Sequence, residues 1–253
     1  MKLSEYKIKS DKLAGGLTFA LVSDLHGCDW GEAIELVKDI SPDFILAPGD
    51  IFEPLDDTHA EINERGFEFL TACQRIAPTL FSPGNHEVGG VRSWSPKWRF
   101  TYGKQKTYTE ENMKRLEATG VCFLDDAYTV INGVAFGGLG SGLINDDRAP
   151  KLEMLSDFFS LDAPKVLLCH HPEYYKKYLA DKDIDLIVSG HAHGGQWRFF
   201  GRGVFAPGQG LFPKYTSGVH DGRLVISRGM KKGGHIPRIF NPTEVVKIVI
   251  ENN

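Results

Sequence analysis

Five short blocks of the chain carry side chains that bind metals and move protons. They are Ser23-Asp24-Leu25-His26-Gly27, Pro48-Gly49-Asp50, Gly84-Asn85-His86-Glu87, Cys169-His170-His171 and Gly190-His191-Ala192-His193-Gly194. Together they supply aspartates, an asparagine and several histidines, a ligand set suited to two divalent cations. Carboxylate oxygens combined with imidazole nitrogens suit manganese, iron or zinc. One carboxylate can bridge two such ions and hold them roughly 3.5–4 Å apart. Ions so held would clamp phosphate oxygens and lower the pKa of a bridging water, so that hydroxide is available near neutral pH. One block alone is weak evidence, because a lone His or Asp after a strand is usually a turn residue or a satisfied polar group. Several in order make that reading untenable.

Distant blocks need a scaffold that brings them to one point. Apolar runs rich in β-branched and aromatic residues predict strands at Leu17–Val22, Asp43–Ala47, Thr79–Ser82, Lys165–Cys169 and Ile184–Ser189. Each block begins where one of these strands ends, and ligands in α/β sheets sit beyond the carboxyl ends of strands. Helical spacing lies between them at Asp29–Ile40, Thr58–Ile76, Glu110–Thr119, Lys151–Phe159 and Glu173–Ala180, with Thr109 as a candidate cap. Strands are also expected at Val121–Leu124, Tyr128–Ile131, Val134–Gly137, Arg223–Ser227 and Val245–Ile250, and Asn132-Gly133 reads as a type I′ hairpin turn. The order predicts one α/β domain over residues 1–253, a mixed two-sheet β sandwich flanked by helices. Gly49, Gly84 and Gly190 are expected to let the backbone turn sharply so that the next side chain reaches the ions.

At these residues the chain resembles the calcineurin-like metallophosphoesterase superfamily. That family carries DxH, GD, GNH[DE], a lone His and GHxH. Here they stand in order as Asp24-His26, Gly49-Asp50, Gly84-Asn85-His86-Glu87, His170 and Gly190-His191-Ala192-His193. The ending Gly190–Gln196 is similar to a bacterial branch. The resemblance implies a four-layer α/β/β/α fold and a dinuclear phosphoesterase, with phosphodiesters favoured. It implies that Asp24, His26 and His193 hold one ion, that Asn85, His170 and His191 hold the second, and that Asp50 bridges. It implies that His86 is no ligand but assists the departing oxygen. Relatives often carry an acid three residues after the bridging aspartate. That position is Glu53, expected to orient His86, with Asp56 and Asp57 as alternatives. His171 is expected to point away from the site if its strand persists, and reads as structural or as a support for a ligand rather than as a ligand itself. His59 and His220 read as surface residues and His235 as part of a solvated basic turn.

Composition narrows the partners. With 253 residues, 42% hydrophobic, the chain can bury a large core. Lys plus Arg number 29 against 33 for Asp plus Glu, so no general nucleic-acid surface is implied. Cys28, Cys73, Cys122 and Cys169 form no CxxC pair, which leaves zinc-finger and disulfide frameworks without support. The first residues lack an apolar signal core and no apolar run spans a bilayer, so a cytoplasmic setting is expected.

Residues 88–108 are long for a connection and hold Arg92, Lys97, Arg99, Lys104 and Lys106 with no acid, interleaved with Trp94, Trp98, Phe100 and Tyr102. They read either as a solvated loop or as a lid over a phosphate ester or nucleotide-linked substrate. Phe199, Phe200, Phe205, Phe212 and Tyr215 read as core. Two other functions compete: a non-catalytic metal-binding scaffold, and a nuclease of the same superfamily.

Overall fold

Side chains alternate across a strand, and that alternation sorts this sequence into layers. The computed structural model describes residues 1–53, 59–87, 109–141, 150–233 and 237–252, and the backbone of 92–93 and 101–102. The first half runs β1 (Lys2–Lys9), β2 (Thr18–Leu21), α1 (Gly31–Ile40), β3 (Phe44–Pro48), α2 (Ala60–Gln74) and β4 (Thr79–Ser82). Next come the short strands β5 (Arg92–Ser93) and β6 (Thr101–Tyr102), then α3 (Glu110–Ala118), β7 (Cys122–Phe123), β8 (Ala127–Ile131) and β9 (Val134–Leu139). The second half runs α4 (Ser156–Ser160), β10 (Lys165–Cys169) and β11 (Leu186–Ser189). Two small hairpins follow, β12 (Arg198–Phe199) with β13 (Arg202–Gly203) and β14 (Phe205–Ala206) with β15 (Gly210–Leu211). The chain closes with β16 (Gly218–His220), β17 (Leu224–Ile226) and β18 (Glu244–Glu251).

Two six-stranded sheets form, ordered β1-β18-β2-β3-β4-β7 and β16-β17-β11-β10-β9-β8. In the first, Phe19, Leu21, Phe44 and Leu46 enter the layer between the sheets, while Ala20, Val22, Ile45 and Ala47 pack under α1 and α2. In the second, Val166, Leu168, Leu186 and Val188 face the shared layer, while Leu167, Cys169 and Ile187 pack outward with Phe158, Tyr175 and Leu179. The result is the expected four-layer sandwich. β2, β3 and β4 are mutually parallel, as are β9, β10 and β11, so the chain leaves each trio at one end.

Local signals hold where short-range chemistry decides. Thr109 caps α3, its hydroxyl accepting from the Asn112 N–H at 3.1 Å. Asn132 and Gly133 both take positive φ, 51° and 79°, as a type I′ turn requires, and join β8 to β9. α1 starts two residues later than expected, with Asp29 Oδ1 accepting from the Gly31 N–H at 3.0 Å. The helix expected over Lys151–Phe159 is a 3-10 turn at Leu152–Leu155 followed by α4. That expected over Glu173–Ala180 is a wide π-type turn, Tyr175–Leu179. β1 was not foreseen. Its weak alternation becomes a strand only because β18 pairs with it in parallel.

The expected lid at 88–108 lies outside the described residues, save for the backbone pairing of β5 with β6. Asp56, Asp57 and His235 lie outside them too. The aromatic stretch expected in the core is placed otherwise: Tyr215 is buried, but Phe199, Phe200, Phe205 and Phe212 are exposed on the hairpins.

Phe136 is fully buried between the sheets, its ring 4.8 Å from that of Phe44. Phe136→Ala should cost about 3–5 kcal/mol in a denaturant titration. A change below about 1 kcal/mol would show that the two sheets do not share this layer as described.

Candidate metal centre

The parallel strands converge on one point. Asp24 and His26 follow β2, Asp50 follows β3, Asn85 and His86 follow β4, His170 follows β10, and His191 and His193 follow β11. Asp24, His26, Asp50, His191 and His193 all take positive φ, between 45° and 64°. Such backbone is costly for non-glycine residues and persists only where its surroundings over-determine it. Here they do. The Asp24 N–H donates to the Gly49 carbonyl at 3.1 Å, the His26 N–H to the Asp50 carbonyl at 3.0 Å, and the His191 N–H to Asp24 Oδ1 at 3.0 Å.

The glycines act in two ways. Gly49 sits at φ +84°, in keeping with the expected sharp turn. Gly84 and Gly190 are not in the left-handed region; their need is close approach. An added Cβ would lie 2.2 Å from Asp50 Oδ1 at Gly84 and 2.5 Å from Asp24 Oδ2 at Gly190.

Among the described residues four groups of donors result, one of them His171, Glu173 and His191. The ligand atoms of Asp24, His26 and His193 lie within 4.8 Å of one another, and so do those of Asp50, His170 and His191. Asp50 Oδ2 faces both groups, 3.7 Å from His26 Nε2 and 3.1 Å from His170 Nε2. His26 Nε2, His191 Nε2 and Asn85 Oδ1 are buried with no hydrogen-bond partner, while His170 Nε2 and His26 Nδ1 have only the nearby carboxylates of Asp50 and Glu53. Buried polar atoms are rarely left this way. A cluster of them with carboxylate and imidazole chemistry fits metal ions, and the donor set admits manganese, iron or zinc. The remaining group is His26, Glu53 and His86.

Glu53 Oε2 lies 2.8 Å from His86 Nδ1, and Oε1 accepts from Lys231 Nζ at 2.8 Å while standing 3.2 Å from His26 Nδ1. Glu53 is thus the acid beside His86, as its spacing suggested. The His86 side chain is 18% exposed against 2% for His26, so His86 is open to the cleft. Burial lowers a histidine pKa, yet the Asp50 and Glu53 carboxylates overcome it and raise His86. Burial also opposes ionisation of Glu53, but its two histidine partners hold it below the usual carboxylate range. Burial drives His26 and His191 down and His193 to about 3, favouring the neutral rings that ligate metals. His170 differs: against its burial, Asp50 raises it to about 10.

Four participants were given no role by the sequence reading, although Glu87 stands in the Gly84–Glu87 block. Glu87 is fully buried and accepts from the N–H groups of Gly84 at 2.7 Å, Asp50 at 2.9 Å and Phe52 at 2.9 Å. Burial and the nearby Asp50 push its carboxyl to about 7, against those three donors. Lys231 reaches Glu53, and Arg238 Nη2 lies 3.2 Å from His193 Nδ1. Glu173 Oε1 stands 3.2 Å from His171 Nδ1.

His171 does not turn away as expected. β10 ends at Cys169, alternation stops there, and the His171 ring lies 4.3 Å from that of His191. Its nitrogens are occupied by Glu173 and by Ser141 Oγ, so it belongs to a hydrogen-bonded support for His191. His59 and His220 are half-buried rather than surface residues and join none of these donor groups.

Residues 17–195 match the model of the calcineurin-like phosphoesterase family, and the chain belongs to that family. It is 27% identical to a Caenorhabditis elegans protein given a metallophosphoesterase name, over 94% of this chain and 49% of that one. It is 30% identical to a Bos taurus transmembrane protein with a metallophosphoesterase domain, over 71% of this chain and 41% of that one. An uncharacterized metallophosphoesterase of Aquifex aeolicus is 27% identical over 99% of this chain and 92% of its own length. The chain thus spans about half or less of the first two relatives.

Two outcomes follow from the geometry. Glu87→Gln removes one acceptor and sets an amide donor against backbone N–H groups. It should lower stability by about 2–4 kcal/mol in thermal unfolding and reduce bound metal; an unchanged midpoint would contradict the role given to Glu87. Asp50 raises His170 to about 10, so an ion bound through its Nε2 would displace a proton. Manganese affinity of chelator-treated protein should therefore rise from pH 6 to pH 8, by up to about ten-fold per unit for each proton released. Affinity independent of pH would contradict this.

Proposed function

We propose that the chain is a metal-dependent phosphoric ester hydrolase with two ions, acting on phosphodiesters in preference to monoesters. One observation carries the reading: buried imidazole and amide ligand atoms, several without a hydrogen-bond partner, cluster with Asp50, and the partly exposed His86 stands beside them. Asp24, His26 and His193 would hold one ion, and Asn85, His170 and His191 the other, with Asp50 between. When bound, the ions would supply Lewis acidity, which neutralises phosphoryl charge and makes a water nucleophile acidic enough to react near neutral pH.

The protein's own residues do the rest. Glu53 holds the His86 ring by Nδ1 at 2.8 Å and leaves Nε2 4.0 Å from Asp50 Oδ2. The Asp50 and Glu53 carboxylates favour the protonated ring, which would hydrogen-bond the phosphoryl group and give its proton to the departing alkoxide. Lys231 answers the charge of Glu53 and fixes its position. The substrate class is a small phosphate ester, with nucleotide-linked esters among the candidates. Among the described residues no helix is long and apolar enough to cross a membrane.

His86→Ala should lower kcat on an aryl phosphodiester by roughly 10²–10⁴-fold with metal content unchanged. Asp50→Asn should lose both metal and turnover. Elemental analysis beside a panel of mono- and diesters checks this. Full turnover by metal-stripped protein would end the proposal, and a metal-replete protein inactive on the whole panel would favour the scaffold reading.

A further inference from the structure

We infer that the two hairpins after the last metal-ligand block, with the turn at Phe240, form a docking surface for an anionic lipid bilayer. Phe199, Phe200, Phe205, Leu211, Phe212 and Phe240 are all exposed, with Phe200 fully so and Phe212 and Phe240 at 77% and 78%. They belong to one neighbourhood. Phe205 pairs with Leu211 across β14–β15, the Phe212 N–H donates to the Val204 carbonyl at 2.8 Å, and the Phe199 and Phe240 rings lie 5.9 Å apart. Exposed apolar groupings of this size mark interaction sites.

Folding does not account for these side chains. Phe200, Phe212 and Phe240 sit at φ of 50°, 50° and 51°, where asparagine or glycine would be less strained. Both backbone and hydration therefore oppose phenylalanine at these turns, and burial does not compensate.

The charge selects the occupant. From Gly194 to His220 the sequence has no Asp or Glu and carries Arg198, Arg202 and Lys214, in a protein of net charge −4. Arg202 and Lys214 are exposed among the aromatics. Aromatic tips beside cations match the boundary between acyl chains and anionic headgroups. A second copy would set these cations against their own counterparts. The surface also borders the metal centre: Asn241, next to Phe240, donates to the His193 carbonyl at 2.7 Å. Docking would therefore hold the cleft close to the headgroups.

The test uses the intact protein and sedimentation with vesicles of phosphatidylcholine, alone or mixed with phosphatidylglycerol. Binding is expected to the mixed vesicles and to weaken with salt. The triple variant Phe200→Asn, Phe212→Asn, Phe240→Asn should lose roughly ten-fold or more in partitioning. Its thermal midpoint should be unchanged or higher, and its hydrolysis of a soluble phosphate ester unchanged. Arg202→Gln with Lys214→Gln should abolish the preference for anionic vesicles. The inference is overturned by absence of vesicle binding, by equal binding of the triple variant, or by a lowered midpoint in that variant. A dimer in light scattering that the triple variant dissolves would overturn it in favour of self-association. Turnover of the soluble ester is read separately, so failure of docking and failure of the hydrolase reading are distinguishable.

Discussion

The buried carboxylate of Glu87 holds the site together. It accepts three backbone N–H groups from two different turns, those after β3 and β4. These turns bring Gly49 and Gly84 into such close approach that a Cβ on Gly49 would stand 2.4 Å from the Gly84 nitrogen. That contact fixes where Asp50 and Asn85 emerge. The Asp50 side chain in turn accepts from the His86 N–H at 2.9 Å. One carboxylate thus sets the spacing of Asp50, Asn85 and His86.

Charge is arranged in layers around that anchor. Asp50 and Glu53 are the acids nearest the imidazoles, and each is held below its usual range by histidine neighbours despite burial. The outer cations come late in the chain, Lys231 on Glu53 and Arg238 on His193. The same stretch is tied down by the buried Glu244, which accepts from the Arg228 N–H at 2.9 Å and from Ser4 Oγ at 2.6 Å. The β1–β18 edge therefore supports the metal centre as well as the sheet.

The strained backbone has the same logic in the centre and at the rim. Five metal-centre residues and three exposed phenylalanines share left-handed φ. In the centre the strain is held by hydrogen bonds and carries the ligands inward. At the hairpin turns it carries aromatic side chains outward.

Much of this was legible from residues alone. Continuous apolar runs such as Leu17–Val22 marked the strands, and because a strand has two faces both of which are covered here, its side chains enter two layers. The resemblance to the family pointed to an acid three residues after Asp50, and Glu53 lies 2.8 Å from His86 Nδ1. Other features depended on segments remote in sequence. His171 joined the site because β10 stops at Cys169, and β1 became a strand because β18 lies beside it. Lys231 and Arg238 reach residues 178 and 45 positions away, and the motif shows Glu87 but not that it binds backbone. The hairpin phenylalanines look like core in one dimension. Sequence determines which residues can bury or ligate, by local geometry and side-chain chemistry. Only the tertiary structure decides which are covered, because burial depends on what the rest of the chain places against them.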